Sequence, residues 1–293
     1  MDKTLNLGVR AHDVGLENLP EFFTAQAIEI LAGRVLSHNF RAVQYTMSDA
    51  FRQVNPEQLN QGMAYQLRRA FESRNIQIAV LSCYINPVHP DLQIRKKQLS
   101  GFRQYLEFCR DLGCSYVATE TGSKNINGTF NPENTSQQTM DELLESLGQM
   151  TAWARDFGVS VAIEGVSRFV ARSPETIRKI LDTIDSINLR VLLDPVNLLD
   201  PAAGNDLRQQ YTGIVERSFE LYGDKIIAVH LKDFREADGQ LVKVPIGTGQ
   251  SPFGSLIKTV LDKKPGLPII LEEQKSATMD SSIEFLTNLV CKL

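Results

Sequence analysis

Short apolar runs alternate with amphipathic stretches along the whole of this 293-residue chain. Runs of four to eight residues rich in Val, Ile and Leu predict strands buried on both faces, the signature of a parallel sheet covered by helices. Leu5–Arg10, Arg41–Thr46, Ile76–Cys83 and Ser115–Glu120 are the first four. Val161–Glu164, Arg190–Asp194, Ile226–His230 and Ile269–Glu272 are the rest.

Between these runs, apolar residues recur at helical spacing, as Ile177, Ile180, Leu181 and Ile184 do. The predicted helices have recognisable starts. Asn55-Pro56-Glu57 opens one that leads to Arg74, with Asn as cap and Pro in the first turn. Pro90-Asp91 opens another, which Gly113 ends. Thr135-Ser136 precedes a long helix through Trp153 and Phe157 to Gly158, and Ser173-Pro174-Glu175 starts the next. Further helices are expected over 205–222 and after Ser251-Pro252, and Asp280 caps the last. Trp153 shares its helix with Leu147 and Met150 and reads as core packing.

Eight strands alternating with helices predict an α/β protein, a (β/α)8 TIM barrel over residues 1–293 as a single domain. An open doubly wound sheet would want a Gly-x-Gly-x-x-Gly turn after its first strand, and Leu7-Gly8-Val9-Arg10-Ala11-His12 has none. No Pro/Gly/Ser-rich linker interrupts the chain.

The last four runs share one further property: each ends in a residue able to ligate a metal. Those residues are Glu164, Asp194, His230 and Glu272. An ionisable side chain is costly inside a buried strand, so each belongs at the strand's exit. In a parallel barrel the exits meet at one rim, where the chemistry sits. Taken singly, each reads equally well as a helix cap or a hydrogen-bonded structural residue. Together, three carboxylates and an imidazole would repel unless they enclosed a cation. An oxygen-rich set with one imidazole favours Mn²⁺, Co²⁺ or Mg²⁺ over a metal selected by thiolates, with Mn²⁺ the first choice and Zn²⁺ an alternative. Arg10, His12, Gln44, Glu120 and Ser123 also fall near strand exits, where they could contact substrate hydroxyls. Lys124, Arg168, Arg172 and Lys275 read either as contacts to an anionic substrate group or as solvated charges.

Charge narrows the partners. A formal net charge of -4 gives no basic surface for nucleic acid or a membrane, and no apolar run is long enough to span a bilayer. Cys83, Cys109, Cys114 and Cys291 form no Cys-x-x-Cys pair and read as reduced structural thiols. Met1-Asp2-Lys3-Thr4 leads directly into a strand without an apolar signal segment, so a cytoplasmic location is expected.

His230-Leu231-Lys232-Asp233 and the later turn Gly247-Thr248-Gly249 resemble the xylose isomerase-like superfamily of TIM barrels, in particular its sugar isomerase and epimerase branch. The resemblance runs through nearly the whole chain in strand order and is strongest from Val161 onward. It implies that Glu164, Asp194, His230 and Glu272 bind a divalent metal, and that Glu164 and Glu272 act as the catalytic pair flanking a carbon beside a carbonyl. One would remove a proton and the other return it. It also implies substrate contacts from Asn197, Lys232 and Arg235. Asn197 stands where family epimerases often place a His, and it cannot titrate. Glu236 occupies the position of the family's usual Arg, with Arg235 one place early, and the third strand ends without a His. The sister branch of DNA-repair nucleases needs several site histidines; this chain has only His12, His38, His89 and His230.

The expected function is therefore a metal-dependent isomerase or epimerase of a small ketose, polyol or sugar phosphate. Alternatives are a dehydratase of an inositol-type keto-polyol and a non-catalytic metal- or sugar-binding protein. A small-molecule substrate is the expected partner, and the reading leaves room for a homo-oligomer.

Overall fold

All eight apolar runs become strands of one closed parallel barrel in the computed structural model, which describes residues 5–16, 23–50, 54–204 and 206–293. The barrel strands are β1 (Leu7–Arg10), β2 (Ala42–Thr46), β3 (Gln77–Ser82), β4 (Tyr116–Glu120), β5 (Ser160–Glu164), β6 (Leu189–Leu193), β7 (Ile226–Leu231) and β10 (Ile269–Leu271). Each pairs in parallel with its neighbour in chain order, and β10 closes onto β1. Helices α1 (Ala25–Ser37), α3 (Gln61–Glu72), α4 (Leu92–Leu112), α5 (Gln137–Phe157), α6 (Pro174–Ile184), α7 (Leu207–Tyr222), α8 (Phe253–Lys263) and α9 (Ser276–Val290) lie between and after them, and a single turn, α2 (Met47–Ala50), follows β2.

Two apolar layers hold this arrangement. The larger one, between strands and helices, includes Val9, Val43, Val117, Ile163, Val191, Val229 and Leu271. The smaller one fills the barrel and is made largely of short side chains, among them Ala42, Val80, Ala118, Ala162, Leu192, Ala228 and Ile270. Strand residues alternate between the two faces, so the residue two places beyond an interior one also faces the axis. That parity carries Gln44, Ser82, Glu120, Glu164, Asp194, His230 and Glu272 to the mouth of the barrel. Gly8 holds the equivalent interior place in β1. A Cβ there would sit 2.6 Å from the Ala42 carbonyl oxygen and 2.6 Å from Ile270 Cδ1, which places Arg10 on the same rim.

Most expected helix ends are present. Asp91, Ser136 and Ser173 cap α4, α5 and α6 through their side chains, and Gly113 and Gly158 end α4 and α5 in the left-handed conformation. Trp153 packs against the main core, and all four cysteines are free thiols. Two expectations change. The helix opened by Asn55 stops after the single 3-10 turn Pro56–Gln58, and α3 starts afresh from an Asn60 cap. The last helix begins one turn before Asp280, whose carboxylate instead pairs with His38 Nδ1 at 2.7 Å. Asn205 lies outside the described residues, and α7 is capped by Asp206.

An antiparallel hairpin, β8 (Asp233–Ala237) with β9 (Gln240–Val244), stands between the seventh and eighth barrel strands. Asp238 and Gly239 both adopt positive φ, the requirement of a tight two-residue hairpin turn. Asp233 anchors the loop between the hairpin and α8. Its buried carboxylate accepts the backbone N–H groups of Gly247, Gly249, Ser251 and Phe234 at 2.8–3.0 Å. A Cβ on Gly249 would lie 2.4 Å from Asp233 Oδ1, so glycine is required there. Asp233→Ala leaves these donors without their acceptor. We expect a loss of about 3 kcal/mol or more, read from denaturant unfolding, because each buried unpaired donor costs about 1–3 kcal/mol.

Candidate metal centre

The exits of β5, β6, β7 and β10 converge on His230. Its Nδ1 lies 3.6 Å from Glu164 Oε1, 3.4 Å from Asp194 Oδ2 and 3.3 Å from Glu272 Oε2, and all four side chains are buried. Glu164, Asp194 and His230 each offer one ligand atom within 4.8 Å of the others, a set able to hold a metal ion. Glu272 borders this triad through His230.

His230 is aimed by its other nitrogen. Nε2 meets Gln44 Oε1 at 2.6 Å, so Nε2 carries the proton donated to that carbonyl and the Nδ1 edge faces the carboxylates. The Gln44 amide nitrogen in turn donates to Ser82 Oγ at 2.7 Å and to Tyr84 Oη at 3.2 Å. Gln44 thus spends its amide on orienting the imidazole and on Ser82 and Tyr84. Tyr84 Oη then donates to Glu164 Oε2 at 2.8 Å, and Asn197 Nδ2 donates to Glu164 Oε1 at 2.5 Å. Glu164 is therefore held at both oxygens by neutral donors.

Glu272 is held by cations instead. Arg10 Nη1 donates to its Oε1 at 2.8 Å while the same guanidinium grips Asp13 at 3.1 Å with two nitrogens. Arg10 therefore positions Glu272. Lys232 is buried, with Nζ 2.7 Å from both Asp194 Oδ2 and Glu272 Oε2 and hydrogen-bonded to Asn197 Oδ1 at 3.1 Å. The two carboxylate contacts are close but not aligned as hydrogen bonds. Asp194 Oδ2, Glu272 Oε2 and His230 Nδ1 consequently remain buried without a hydrogen-bonding partner. Two carboxylate oxygens and one imidazole nitrogen without hydrogen bonds meet at one point, a donor set that fits a divalent cation once Nδ1 gives up its proton.

Electrostatics reflect this packing. Burial alone would lower His230, but Glu272 and Glu164 outweigh it and raise the imidazole to about 10. Burial would raise Glu272, yet His230, Lys232 and Arg10 hold it below the usual carboxylate range. Burial would lower Lys232, yet Asp194, Glu272 and Glu164 hold it above the ordinary lysine range. Glu120, in register with Glu164 on the neighbouring strand, is raised to about 7 by burial and by the Glu164 charge, against the pull of Arg168 and Lys232.

Other expected site residues sit in varied settings. Arg235 is exposed on β8 and donates to the Thr248 carbonyl, bracing the Gly247-Thr248-Gly249 turn. His12 is part-buried at the β1 exit with Nε2 3.5 Å from Asp13; burial, then Arg10, lower it. Ser123 ties its loop to Thr129 and Asn134, Lys124 pairs with Glu142 at 2.6 Å, and Arg168 donates to the Gly128 carbonyl while stacking on Phe169. Arg172 and Lys275 are exposed. His89 bonds within its own loop, to the Asp91 backbone. Tyr84 and Asp13 are site residues that the pattern of apolar runs did not single out. Extending the strand parity past Ser82 would have found Tyr84, which is two places further on.

Residues 33–289 match the family described as Xylose isomerase-like TIM barrel. A curated relative, an uncharacterized protein of Methanocaldococcus jannaschii, is 25% identical over 241 residues, covering 80% of this chain and 73% of its own. Among solved structures, a D-tagatose 3-epimerase-like protein superposes with a TM-score of 0.75 at 19% identity, covering 98% of each chain. The probable 3-DHS dehydratase of petrobactin synthesis from Bacillus anthracis gives 0.71 at 14% identity over 97% of this chain and 99% of its own. A xylose isomerase-like TIM barrel protein from Mycobacterium smegmatis, solved in complex with magnesium, gives 0.68 at 14% identity over 99% and 97%.

Proposed function

The chain belongs to the xylose isomerase-like TIM barrel family, and from that premise we propose that it is a divalent-metal-dependent isomerase or epimerase of a small ketose, polyol or sugar phosphate. The observation that carries this reading is the convergence of buried Glu164, Asp194, His230 and Glu272, with His230 Nδ1 3.3–3.6 Å from an oxygen of each carboxylate. Glu164, Asp194, His230 and Glu272 would hold the cation, Mn²⁺ first among Mn²⁺, Co²⁺, Mg²⁺ and Zn²⁺. When bound, it supplies Lewis-acid stabilisation of the negative charge that develops on substrate oxygens.

The chain's own groups divide the proton work. The two carboxylates sit in different surroundings: Glu164 accepts from the neutral Tyr84 and Asn197, whereas His230, Lys232 and Arg10 hold Glu272 below the usual carboxylate range. Glu164 removes the proton beside the carbonyl, and Glu272 returns one after taking it up from solvent, since His230, Lys232 and Arg10 hold it ionised at rest. Return to the opposite face of the same carbon epimerises; return to the next carbon isomerises. Asn197 and Lys232 keep Glu164 and Glu272 apart in charge and fixed in place.

Glu120 supports a second reading. A carboxyl raised to about 7 beside Glu164 can donate a proton near neutrality, which would assist loss of a hydroxyl and yield a dehydratase. One experiment separates the two. Protein stripped with EDTA and reloaded with Mn²⁺ or Co²⁺ is incubated with ketoses in deuterated water. Deuterium beside the carbonyl without an enone product supports the isomerase or epimerase; an enone supports the dehydratase; no exchange with any metal overturns both.

A further inference from the structure

A cavity of about 800 Å³ opens beside the metal centre, between the C-terminal ends of β2 and β3 and helix α4. We propose that it receives the second sugar ring of an extended substrate, a ketose substituted by another sugar, while the ketose itself reacts at Glu164. This rests on the proton-transfer reading above.

The cavity and the centre share a wall. Ser82 and Tyr84 line the cavity, yet Ser82 Oγ accepts from Gln44 and Tyr84 Oη donates to Glu164 at 2.8 Å. Tyr84, 42% exposed as a residue, thus gives its hydroxyl to the proton-transfer carboxylate and also lines the space beyond. Ligand cavities run from about 300 to 1,000 Å³ for drug-sized molecules, so a lone ketose at Glu164 would leave this one mostly to water.

The lining suits a neutral sugar. Tyr84 and Ile94, two of the exposed large apolar residues of the described chain, give an apolar face. Gln98 adds an amide whose carbonyl already accepts the Asn86 N–H, leaving its NH₂ for a hydroxyl. A pyranose presents the same combination, C–H groups on its faces and hydroxyls around its edge. Lys97 and Asp49 both line the space, one of each sign, so it selects neither a phosphate nor a carboxylate.

The test compares D-fructose with isomaltulose, turanose and lactulose, each a ketose bearing a second ring. Exchange of the proton beside the carbonyl is followed in deuterated water on the Mn²⁺-loaded protein, and Kd for each sugar is measured by calorimetry. Wild type should favour at least one disaccharide by tenfold or more in kcat/KM. Gly101→Leu should bring that ratio close to one. Gly101 lines the cavity within α4, and its added Cβ would meet Pro56 Cγ at 3.4 Å, an ordinary contact. Leucine also favours the helix over glycine, so a collapsed ratio would not report unfolding. Equal kcat/KM values for fructose and all three disaccharides, or a preference untouched by Gly101→Leu, overturn the proposal. If no sugar exchanges, the proton-transfer reading fails. The cavity assignment then stands on a disaccharide Kd at least tenfold below that of fructose that Gly101→Leu removes, and falls if the Kd values are equal.

Discussion

Glu164→Gln protein is expected to lose both substrate interconversion and exchange of the proton beside the carbonyl, by about 10²–10⁴-fold in kcat, the range over which a positioned general base accelerates proton transfer. The amide matches the carboxylate in size but has no basic oxygen pair. The fold should tolerate it. Asn197 Nδ2 and Tyr84 Oη now donate to the two carboxylate oxygens, and the tyrosine hydroxyl can rotate to accept from an amide NH₂. A melting temperature within a few degrees of wild type would check that. Measurement at saturating Mn²⁺ separates lost basicity from weakened metal binding. Exchange at the wild-type rate in the variant would remove Glu164 from the role of base.

Metal affinity should depend steeply on pH. Below about 10 the His230 imidazole carries a proton on the side that faces Glu164, Asp194 and Glu272. A cation needs the Nδ1 lone pair, so binding expels that proton. The apparent Kd for Mn²⁺ should fall by about tenfold for each unit of pH between about pH 6 and pH 8, with close to one proton released per ion. Calorimetry in buffers of different ionisation enthalpy counts that proton directly. The sign for the metal-free protein is opposite. Because the folded value is raised, protonation of His230 stabilises the fold fully below the ordinary imidazole value near 6.5, and that contribution is lost as pH rises towards about 10. Gln44→Leu offers a second readout. It removes the acceptor that fixes the imidazole, and should weaken Mn²⁺ binding by about 10–100-fold at constant pH. A flat pH profile together with unchanged affinity in this variant would place the cation elsewhere.

Lys232 explains how four ionisable groups can crowd one rim. With Asp194 and Glu272 both 2.7 Å from its ammonium, part of the carboxylate repulsion is offset inside the protein itself. Arg10 does the same for the outer oxygen of Glu272. The centre is thus two kinds of carboxylate: Glu164 among neutral donors, Glu272 among cations. The resemblance to the family's motifs carried no information about that asymmetry.

Much of this was legible in the chain. Apolar runs of strand length separated by capped helices dictate a parallel barrel, since only that architecture buries both faces of every strand and gives each helix one face to cover. The four ligand-type residues were visible for the same reason: a charge cannot sit mid-strand, so its place at the end of an apolar run marks the rim. The β8–β9 hairpin escapes that pattern although Asp238-Gly239 lies between alternating residues, because both its faces are largely polar and exposed and it contributes little to apolar periodicity. What only the tertiary structure decided is the division of labour at the mouth of the barrel. Gln44 and Arg10 sit beside the residues they position only after closure pairs β1 with β10 and brings β2 within reach of β7, partners 262 and 186 residues apart in sequence. Such partnerships depend on distances between side chains on different strands, and the residue types at each exit leave those distances open.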